Sequence, residues 1–357
     1  MELKVGIVRD ERYLEHRTGL QHPEHPNRLK YIYKMFDAEF AHGTTIITPE
    51  PVTLENLELV HTPSYIKKVL QTAGRDSTHL AVDTVSSSKT YLAAWLAAGG
   101  CIQAMEHLLS GGLDACFALV RPPGHHALRD RAGGFCIFNN LGIAAMYALE
   151  RKGVKRILII DWDIHHGNAI QDLFFGDKRV LYVSSHKDTI FPFTGTWEET
   201  GTGEGEGYNV NLILPKTIGD ADLVYVYNEV VVSAILRFKP DVIMVAAGFD
   251  LHREDIISKT DITENAFRRL TGLVLSSAEK IGRVPVLFSL EGGYRIPALV
   301  KSVREVLKEM TGPRTGADLP IETGDVGSAI VEKARLLHGR YGVWTDGTTS
   351  GPREVLS

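Results

Sequence analysis

The chain lacks several features that would place it in particular classes of protein. Its 357 residues include only three cysteines, Cys101, Cys116 and Cys136, so a fully paired disulfide framework is excluded. The 39 basic and 44 acidic residues give a formal net charge of -5, without the basic excess typical of nucleic-acid-binding proteins. No apolar run reaches the length of a membrane span, and the first residues lack the pattern of a secretory leader. We therefore expect a cytoplasmic protein that contacts neither a membrane nor, directly, a nucleic acid.

The sequence does contain a regular alternation of strand-like and helix-like segments. Short apolar runs predict strands at residues 3–8, 116–120, 156–160, 180–184, 242–247 and 284–290. Longer segments between them predict helices at residues 27–40, 63–73, 90–109, 140–151, 168–175, 221–238, 264–280 and 297–310. This alternation predicts an α/β fold with a mostly parallel sheet that is covered by helices on both faces.

The composition also indicates where the main domain ends. With 44% hydrophobic residues, a chain of this length can form one large α/β domain, which we expect over residues 1–312. Residues 313–357 are expected to form a C-terminal extension that packs on the same domain through a short helix at 326–338 and ends in a polar tail. The stretch 194–207 is too glycine-rich for a helix or a central strand, and we expect a loop at the rim of the active site.

One short segment concentrates four side chains that can bind a metal or move a proton, directly after a predicted strand. The four are Asp161, Asp163, His165 and His166. Residues i and i+2 of an extended segment project to the same side, so Asp163 and His165 can converge on one ion. Asp250, at the end of another predicted strand, supplies a carboxylate as third ligand. Helix capping would explain one carboxylate at a strand end, but it needs neither two carboxylates nor two imidazoles.

Two further predicted strands end in polar, glycine-rich turns. In open α/β sheets, ligands bind outside the carboxyl ends of the strands, so functional side chains at several of these ends should converge. After strand 116–120 the chain reaches His125 and His126, which can move protons near neutral pH. After strand 284–290 it reaches Tyr294, which could donate a hydrogen bond to a developing oxyanion. Structural histidines and a packed loop aromatic are the alternatives at these two turns.

Several motifs, taken together, resemble a known family. They are His-Pro-Glu-His-Pro-Asn-Arg-Leu at 22–29, Arg-Pro-Pro-Gly-His-His at 121–126, Gly-Gly-Phe-Cys at 133–136, Asp-Trp-Asp-Ile-His-His-Gly-Asn at 161–168, Ala-Gly-Phe-Asp at 247–250 and Glu-Gly-Gly-Tyr at 291–294. Their order and spacing are similar to those of the histone deacetylase superfamily, closest to its class II branch. The resemblance covers roughly residues 1–310 and implies an arginase-like parallel α/β fold with a zinc-dependent amidohydrolase activity that removes acyl groups from an amine.

The resemblance also implies roles for individual residues. Zinc would be bound by Asp163, His165 and Asp250. His126 would act as the general base and then as the general acid. His125, paired with Asp161, would be the electrostatic partner of His126. Tyr294 would donate a hydrogen bond to the carbonyl. The residues near the substrate would be Gly134, Phe135 and Phe191 in a narrow channel, Arg28 beside an inner cavity through which acetate leaves, and Asp83 at the rim. A K⁺ site is implied near Asp161, Asp163, His165 and Ser184.

Asn168 departs from the class I members, which carry an aspartate at this position. A neutral partner stabilises an imidazolium less than a carboxylate does, so the ionisation of His126 cannot be taken over from class I. An asparagine at this position is usual in class II.

The motifs specify the reaction and leave the substrate open. Acylated lysine in proteins is the expected substrate, and an acetylated polyamine or another small amide is the alternative. A ureohydrolase with two manganese ions is a rival, but Ile164 and His166 leave no clear second-metal set. A catalytically silent acyl-lysine binding protein is another, although the retained Tyr294 argues against it. A homo-oligomer is left open.

Overall fold

An eight-stranded sheet forms the centre of the structure, a computed structural model that describes residues 3–314, 316, 319–322 and 324–345. Its strands are β1 (Val5–Val8), β2 (Thr44–Ile47), β5 (Ala115–Ala118), β6 (Ile157–Asp161), β7 (Val180–His186), β8 (Asn209–Ile213), β9 (Val242–Ala247) and β10 (Val286–Leu290), with β3 (Thr78–His79) and β4 (Val85–Ser86) in a separate small hairpin. The order across the sheet is β2-β1-β5-β10-β9-β6-β7-β8, and every neighbouring pair is parallel. The predicted parallel sheet is confirmed.

Helices cover this sheet. They are α1 (Asn27–Glu39), α2 (Leu54–Leu57), α3 (Pro63–Leu70), α4 (Thr90–Leu109), α5 (Asn140–Arg151), α6 (Asn168–Phe174), α7 (Asp220–Val226), α8 (Ser233–Phe238), α9 (Glu264–Lys280), α10 (Ile296–Thr311) and α11 (Asp325–His338). Every residue of β5, β6, β7, β9 and β10 is buried, so these strands are covered on both faces. Within the described residues, no helix combines the length and the apolar character that crossing a membrane requires.

The sheet order brings the four functionally interesting strand ends together. β5, β10, β9 and β6 are consecutive neighbours in the middle of the sheet. Their ends lie within one position of one another in the register, since Ala118 pairs with Ser289, Leu290 pairs with Ala247, and Asp161 pairs with Ala246. Because all four strands point the same way, the segments that follow them leave from one edge of the sheet.

Several predicted elements differ from the observed ones. The helix predicted at 221–238 is interrupted by a π-helical segment, Tyr227–Val232, between α7 and α8. β2 and β8 were not predicted, because β2 is a short and largely exposed edge strand and β8 carries two asparagines. Asn209 and Asn211 are nevertheless buried, and both donate to Oε1 of Gln171 at 2.9 Å. These hydrogen bonds satisfy the Nδ2 groups of the two buried amides and offset part of the cost of burying them.

The glycine-rich loop at 194–207 contains no α-helix and no strand, as predicted, and its place at the rim of the active site stays a prediction. It starts beside His186, the last residue of β7, whose Nε2 hydrogen-bonds the carbonyl oxygen of Gly195 at 2.8 Å. It then runs back along the sheet edge, where Thr202 donates to the carbonyl of Phe175 at 2.9 Å, near the start of β7.

The C-terminal extension contributes one helix, α11, which packs against α7. The backbone N–H of Gly327 donates to Asp222 at 2.8 Å, and Arg335 pairs with Glu229. The division of the chain at residue 312 stays a proposal, and the predicted polar tail after Gly342 lies mostly outside the described residues.

Candidate active site

Three buried side chains from two strand ends form a candidate metal site. The ligand atoms of Asp163, His165 and Asp250 all lie within 4.8 Å of one another. Nδ1 of His165 is 2.9 Å from Oδ1 of Asp163 and 3.1 Å from Oδ2 of Asp250. Asp163 and His165 follow β6, and Asp250 follows β9, which is the neighbouring strand. The structure thus brings the three predicted ligands to one point.

The chemistry of this set fits a divalent cation. Burial raises the pKa of Asp250 to about 7, and the negative charge of Asp163 acts in the same direction. Oδ2 of Asp250 is buried and accepts no well-aligned hydrogen bond. Two buried carboxylates around one imidazole nitrogen repel each other unless a cation neutralises them. Two carboxylate oxygens and one nitrogen are a donor set that zinc accepts at a catalytic site, with a fourth position left open.

His125 is held between carboxylates. Its Nδ1 is 3.1 Å from Oδ2 of Asp161, and its Nε2 is 3.9 Å from Oδ2 of Asp163. Burial alone would lower the pKa of His125, but these two carboxylates outweigh burial and raise it to about 10. Near neutral pH, His125 is therefore protonated and cannot accept a further proton.

His126 lies beside His125 in a different environment. The two imidazole centroids are 3.9 Å apart, and Nδ1 of His126 is 2.8 Å from the side-chain oxygen of Asn168. Burial lowers the pKa of His126 well below its usual value, and the positive charges of His125 and His165 lower it further. Since Asn168 is a neutral acceptor, Nδ1 carries the proton, and Nε2 is left as a free proton acceptor.

Tyr294 is half-buried, and its ring is fixed by contacts that do not involve the hydroxyl group. Its ring centroid is 5.6 Å from that of Phe135, and the guanidinium carbon of Arg28 lies 5.2 Å from it. The backbone N–H of Tyr294 donates to Asp255 at 2.6 Å. Burial raises the pKa of Tyr294 well above its usual value, and the carboxylates of Asp250 and Asp163 add to this. The hydroxyl group therefore keeps its proton and can act as a donor.

Gly134, Phe135 and Phe191 form walls around His126 and Tyr294. The Phe191 ring centroid lies 5.0 Å from that of His126, and Phe135 lies against Tyr294. Gly134 has φ of 54° and is so close to His126 that an added Cβ would collide with the imidazole ring. Only glycine fits here, because the left-handed backbone and the lack of space both exclude a side chain.

Three other predicted site residues form hydrogen bonds with other groups of the protein. Asp83 accepts the backbone N–H of Gly134 at 3.1 and 3.2 Å, so it braces the channel wall. Arg28 donates to the carbonyl oxygens of Glu291 and Gly293 and to Glu24, beneath the turn that carries Tyr294. Ser184 is buried opposite Asp161 in the sheet, and its Oγ lies 2.8 Å from Nδ1 of His186.

Glu291 is a site residue whose role the sequence did not indicate. Its Oε2 accepts the backbone N–H groups of Gly124 at 2.7 Å and His125 at 3.2 Å. Burial raises the pKa of Glu291 to about 7, against the opposing effect of the His125 charge. The carboxyl group links the turn after β10 to the histidine turn after β5. Its position directly after a predicted strand and before two glycines was the available signal.

A second group of potential ligand atoms has the spacing of a metal site but not the protonation state that a metal needs. It consists of His125, Cys136 and Glu291. Burial raises the pKa of the Cys136 thiol well above its usual value, so the thiol stays protonated. Its Sγ lies 3.3 Å from the carbonyl oxygen of Gly134, and His125 and Glu291 are bonded as described above. This group does not provide the deprotonated ligands that a metal needs.

Further missed residues form a buried ionic cluster beneath the site. Glu24 binds both Arg28 and Arg121, and all three side chains are buried. On the other side, Tyr182 donates its hydroxyl hydrogen to Oδ2 of Asp161 at 2.9 Å. These residues lie far from one another in sequence, so no local pattern connects them.

Comparison with known proteins identifies the family to which this geometry belongs. The histone deacetylase domain matches residues 22–310. The chain belongs to the histone deacetylase family. It is 36% identical to a probable deacetylase of Archaeoglobus fulgidus over 82% of either chain. It is also 36% identical to histone deacetylase 15 of Arabidopsis thaliana, covering 88% of this chain and 58% of that protein.

A yeast relative and a crystal structure extend the histone deacetylase comparison. Histone deacetylase HDA1 of Saccharomyces cerevisiae is 33% identical, over 95% of this chain and 53% of that protein. The crystal structure of the HDA15 HD domain superposes with a TM-score of 0.88 at 32% identity, over 96% of this chain and 95% of that one. The chain therefore spans most of the archaeal relative but only about half of these plant and fungal proteins.

Proposed function

We propose that the protein is a zinc-dependent deacetylase that hydrolyses the amide of an acylated lysine side chain in a protein. The observation that carries this proposal is the convergence of a buried Asp163-His165-Asp250 set with a neutral His126. Family membership supports the deacetylase reaction, whereas the metal and the substrate are inferred from the site. The three ligands would hold the zinc ion, which, when bound, supplies a Lewis acid that polarises the amide carbonyl and acidifies the attacking water.

The two histidines have different roles: His126 transfers the proton, and His125 supports it. Nε2 of His126 accepts a proton from the attacking water, because Nδ1 is already occupied by its hydrogen bond to Asn168. The hydroxide portion of that water forms the new bond to the acyl carbon. His126 then gives the proton to the departing amine as the C–N bond breaks. His125 stays bonded to Asp161 and acts through its charge and its position next to His126.

Tyr294 stabilises the negative charge that builds on the carbonyl oxygen. Its high pKa keeps it protonated, and its ring contacts with Phe135 and Arg28 fix its direction. A preorganised donor in a buried site needs no rearrangement when the charge develops.

The aromatic walls support a long, apolar substrate arm. Phe135 and Phe191 would pack against the methylene groups of a lysine side chain, so that the acyl group reaches the metal ligands. An acetylated polyamine has a similar arm and is the alternative substrate. Four points stay predictions: that Arg28 lies beside an acetate exit, that Asp83 contacts the substrate at the rim, that a K⁺ site lies at Ser184, and that the protein is cytoplasmic.

Acetate release is the direct test of this proposal. The zinc-loaded protein is assayed with an acetyl-lysine peptide and with an acetylated polyamine, before and after treatment with a chelator. We expect acetate release that the chelator abolishes and that added zinc restores. A protein that binds zinc stoichiometrically but releases no acetate from either substrate would contradict the proposal and favour an acyl-lysine binding role. Two bound metal ions per chain would favour the ureohydrolase alternative.

A further inference from the structure

Large apolar side chains are unusually exposed at the loops around the candidate active site. Among the described residues, the five most exposed large apolar side chains are Val82 (100%), Leu20 (96%), Leu336 (75%), Phe193 (73%) and Ile256 (67%). All of these except Leu336 lie one or two residues from a side chain that contacts the channel. We call Leu20, Val82, Phe193 and Ile256 the mouth patch.

Two members of the mouth patch lie beside Phe135 and Gly134. Leu20 is two residues before His22, whose ring centroid lies 4.7 Å from that of Phe135. Val82 precedes Asp83, which accepts the backbone N–H of Gly134. His22 and Asp83 are also joined, since Nε2 of His22 is 3.3 Å from the carbonyl oxygen of Asp83. These two loops therefore meet at one wall of the channel.

The other two members lie beside Phe191 and Tyr294. Phe193 follows Phe191 by two residues, and the Phe191 ring lies against His126. Ile256 follows Asp255, whose Oδ2 accepts the backbone N–H of Tyr294 at 2.6 Å. The mouth patch thus comes from four separate loops, each of which is tied to a different part of the channel.

Backbone geometry adds a second observation at two aromatic residues of the mouth. Phe135 has φ of 67° and Phe193 has φ of 61°, in the left-handed region that bulky residues rarely adopt. Such a conformation costs free energy, on the order of 1–3 kcal/mol, and is found preferentially at functional sites. For Phe193 the cost is not offset by burial of the side chain, since the ring is mostly exposed.

Two carboxylates beside the mouth patch already accept backbone hydrogen bonds. Asp83 accepts the backbone N–H of Gly134, and Oδ2 of Asp255 accepts the N–H groups of Tyr294 and Arg295. A polyamine carries further ammonium groups beyond its acetylated end, and each would need a free carboxylate to pair with. An apolar rim around these engaged carboxylates is better suited to the side chains of a polypeptide.

We propose that the mouth patch is a docking surface for the polypeptide on either side of the acylated lysine, and that it selects substrates with apolar neighbours of that lysine. This inference rests on the proposed deacetylase function and adds to it a preference among acylated-lysine substrates. A long apolar side chain next to the lysine would cover one or more members of the patch and remove them from water.

The first experiment compares four substrates of the zinc-loaded full chain. They are a capped acetyl-lysine amide without neighbours, an acetyl-lysine peptide with Leu or Phe on both sides, the same peptide with Ser or Gln there, and a monoacetylated linear triamine. We expect kcat/KM for the apolar-flanked peptide to exceed that for the polar-flanked one by about tenfold, the effect of burying one apolar side chain. The triamine should be the poorest of the four.

The second experiment tests whether the mouth patch causes the preference. In the double variant Val82→Ser/Ile256→Ser, the ratio of kcat/KM between the apolar-flanked peptide and the capped amide should fall by about tenfold. Leu336→Ser is the matched control, because Leu336 is equally exposed but lies on α11. This ratio should not change in the control. All three residues are exposed, so the substitutions leave the core intact.

The outcomes separate the two proposals. No acetate from any substrate overturns the deacetylase function, and the docking surface with it. Release from all peptides with equal kcat/KM overturns only the docking surface. Preferred turnover of the triamine overturns the polypeptide as partner. Sedimentation at the assay concentration gives a further check, since self-association that is lost in the double variant would assign the patch to contacts between copies of the chain.

Discussion

Removing the hydroxyl group of Tyr294 should reduce catalysis with almost no effect on the fold. Among the described residues, this hydroxyl has no hydrogen-bond partner, and the ring is held by Phe135, by Arg28 and through the backbone. Tyr294→Phe keeps all of these contacts. Loss of one oxyanion donor typically lowers kcat by about 10² to 10³, or about 2.7–4 kcal/mol of transition-state stabilisation. We expect a decrease of this size, with zinc content and melting temperature within error of the unchanged protein.

Tyr182→Phe is the matched control, because it also removes one buried hydroxyl group near the site. Tyr182 donates to Asp161 at 2.9 Å, so the variant leaves a buried carboxylate short of a donor. A hydrogen bond to a charged group contributes about 1.5–3 kcal/mol, and this loss should appear in the free energy of unfolding.

Steady-state acetate release, zinc analysis and urea unfolding of the two variants give the comparison. The reasoning predicts that Tyr294→Phe loses mainly kcat and that Tyr182→Phe loses mainly stability. If Tyr294→Phe lost zinc and activity in equal proportion, Tyr294 would be supporting the metal site, and its role as oxyanion donor would be refuted.

Three further changes test the rest of the site. Gly134→Ala should lower kcat/KM by about 10²-fold, because the added Cβ displaces His126, whereas Gly133→Ala has open space and should be tolerated. Asn168→Asp places a carboxylate beside His126 and should raise the pKa of that base. The acidic limb of the pH profile of kcat/KM should therefore move to higher pH. An unchanged limb would exclude His126 as the base. Zinc affinity should fall as the pH is lowered through about 7, because Asp250, with a pKa raised to about 7, must lose its proton before it can bind the ion. Titration with zinc between pH 6 and pH 8 measures this, and equal affinity across that range would contradict the shifted pKa.

Much of the candidate site could be predicted because each part is local in sequence. Asp163 and His165 are two residues apart, His125 and His126 are adjacent, and Tyr294 follows two glycines. Each group lies just after an apolar run, so the carboxyl-end rule for α/β sheets was enough to place them together. The observed order β5-β10-β9-β6 explains why the rule worked, although the sequence does not reveal that order.

The parts that could not be predicted depend on contacts between distant residues. Glu291 reaches the N–H groups of Gly124 and His125 across 167 and 166 residues of sequence, and Tyr182 reaches Asp161 from the neighbouring strand. A polar side chain that satisfies a remote backbone group leaves no periodic pattern. The strand β8 was missed for a related reason, since its buried asparagines are polar in sequence, and their Nδ2 groups find the side chain of Gln171 only in the fold.

The hydrogen bonds of Glu291 also help to explain how the two adjacent histidines can differ in charge. His125 is cationic near neutral pH, and its positive charge lies next to the base that must stay neutral. Asp161 accepts a hydrogen bond from the ring of His125, and Glu291 accepts one from its backbone, so the charge of His125 is held in place next to His126. A cation held in this way lowers the pKa of its neighbour without competing for the proton of the attacking water. The two adjacent histidines can therefore have opposite ionisation states, and the neutral one lies beside the aromatic wall of Phe191.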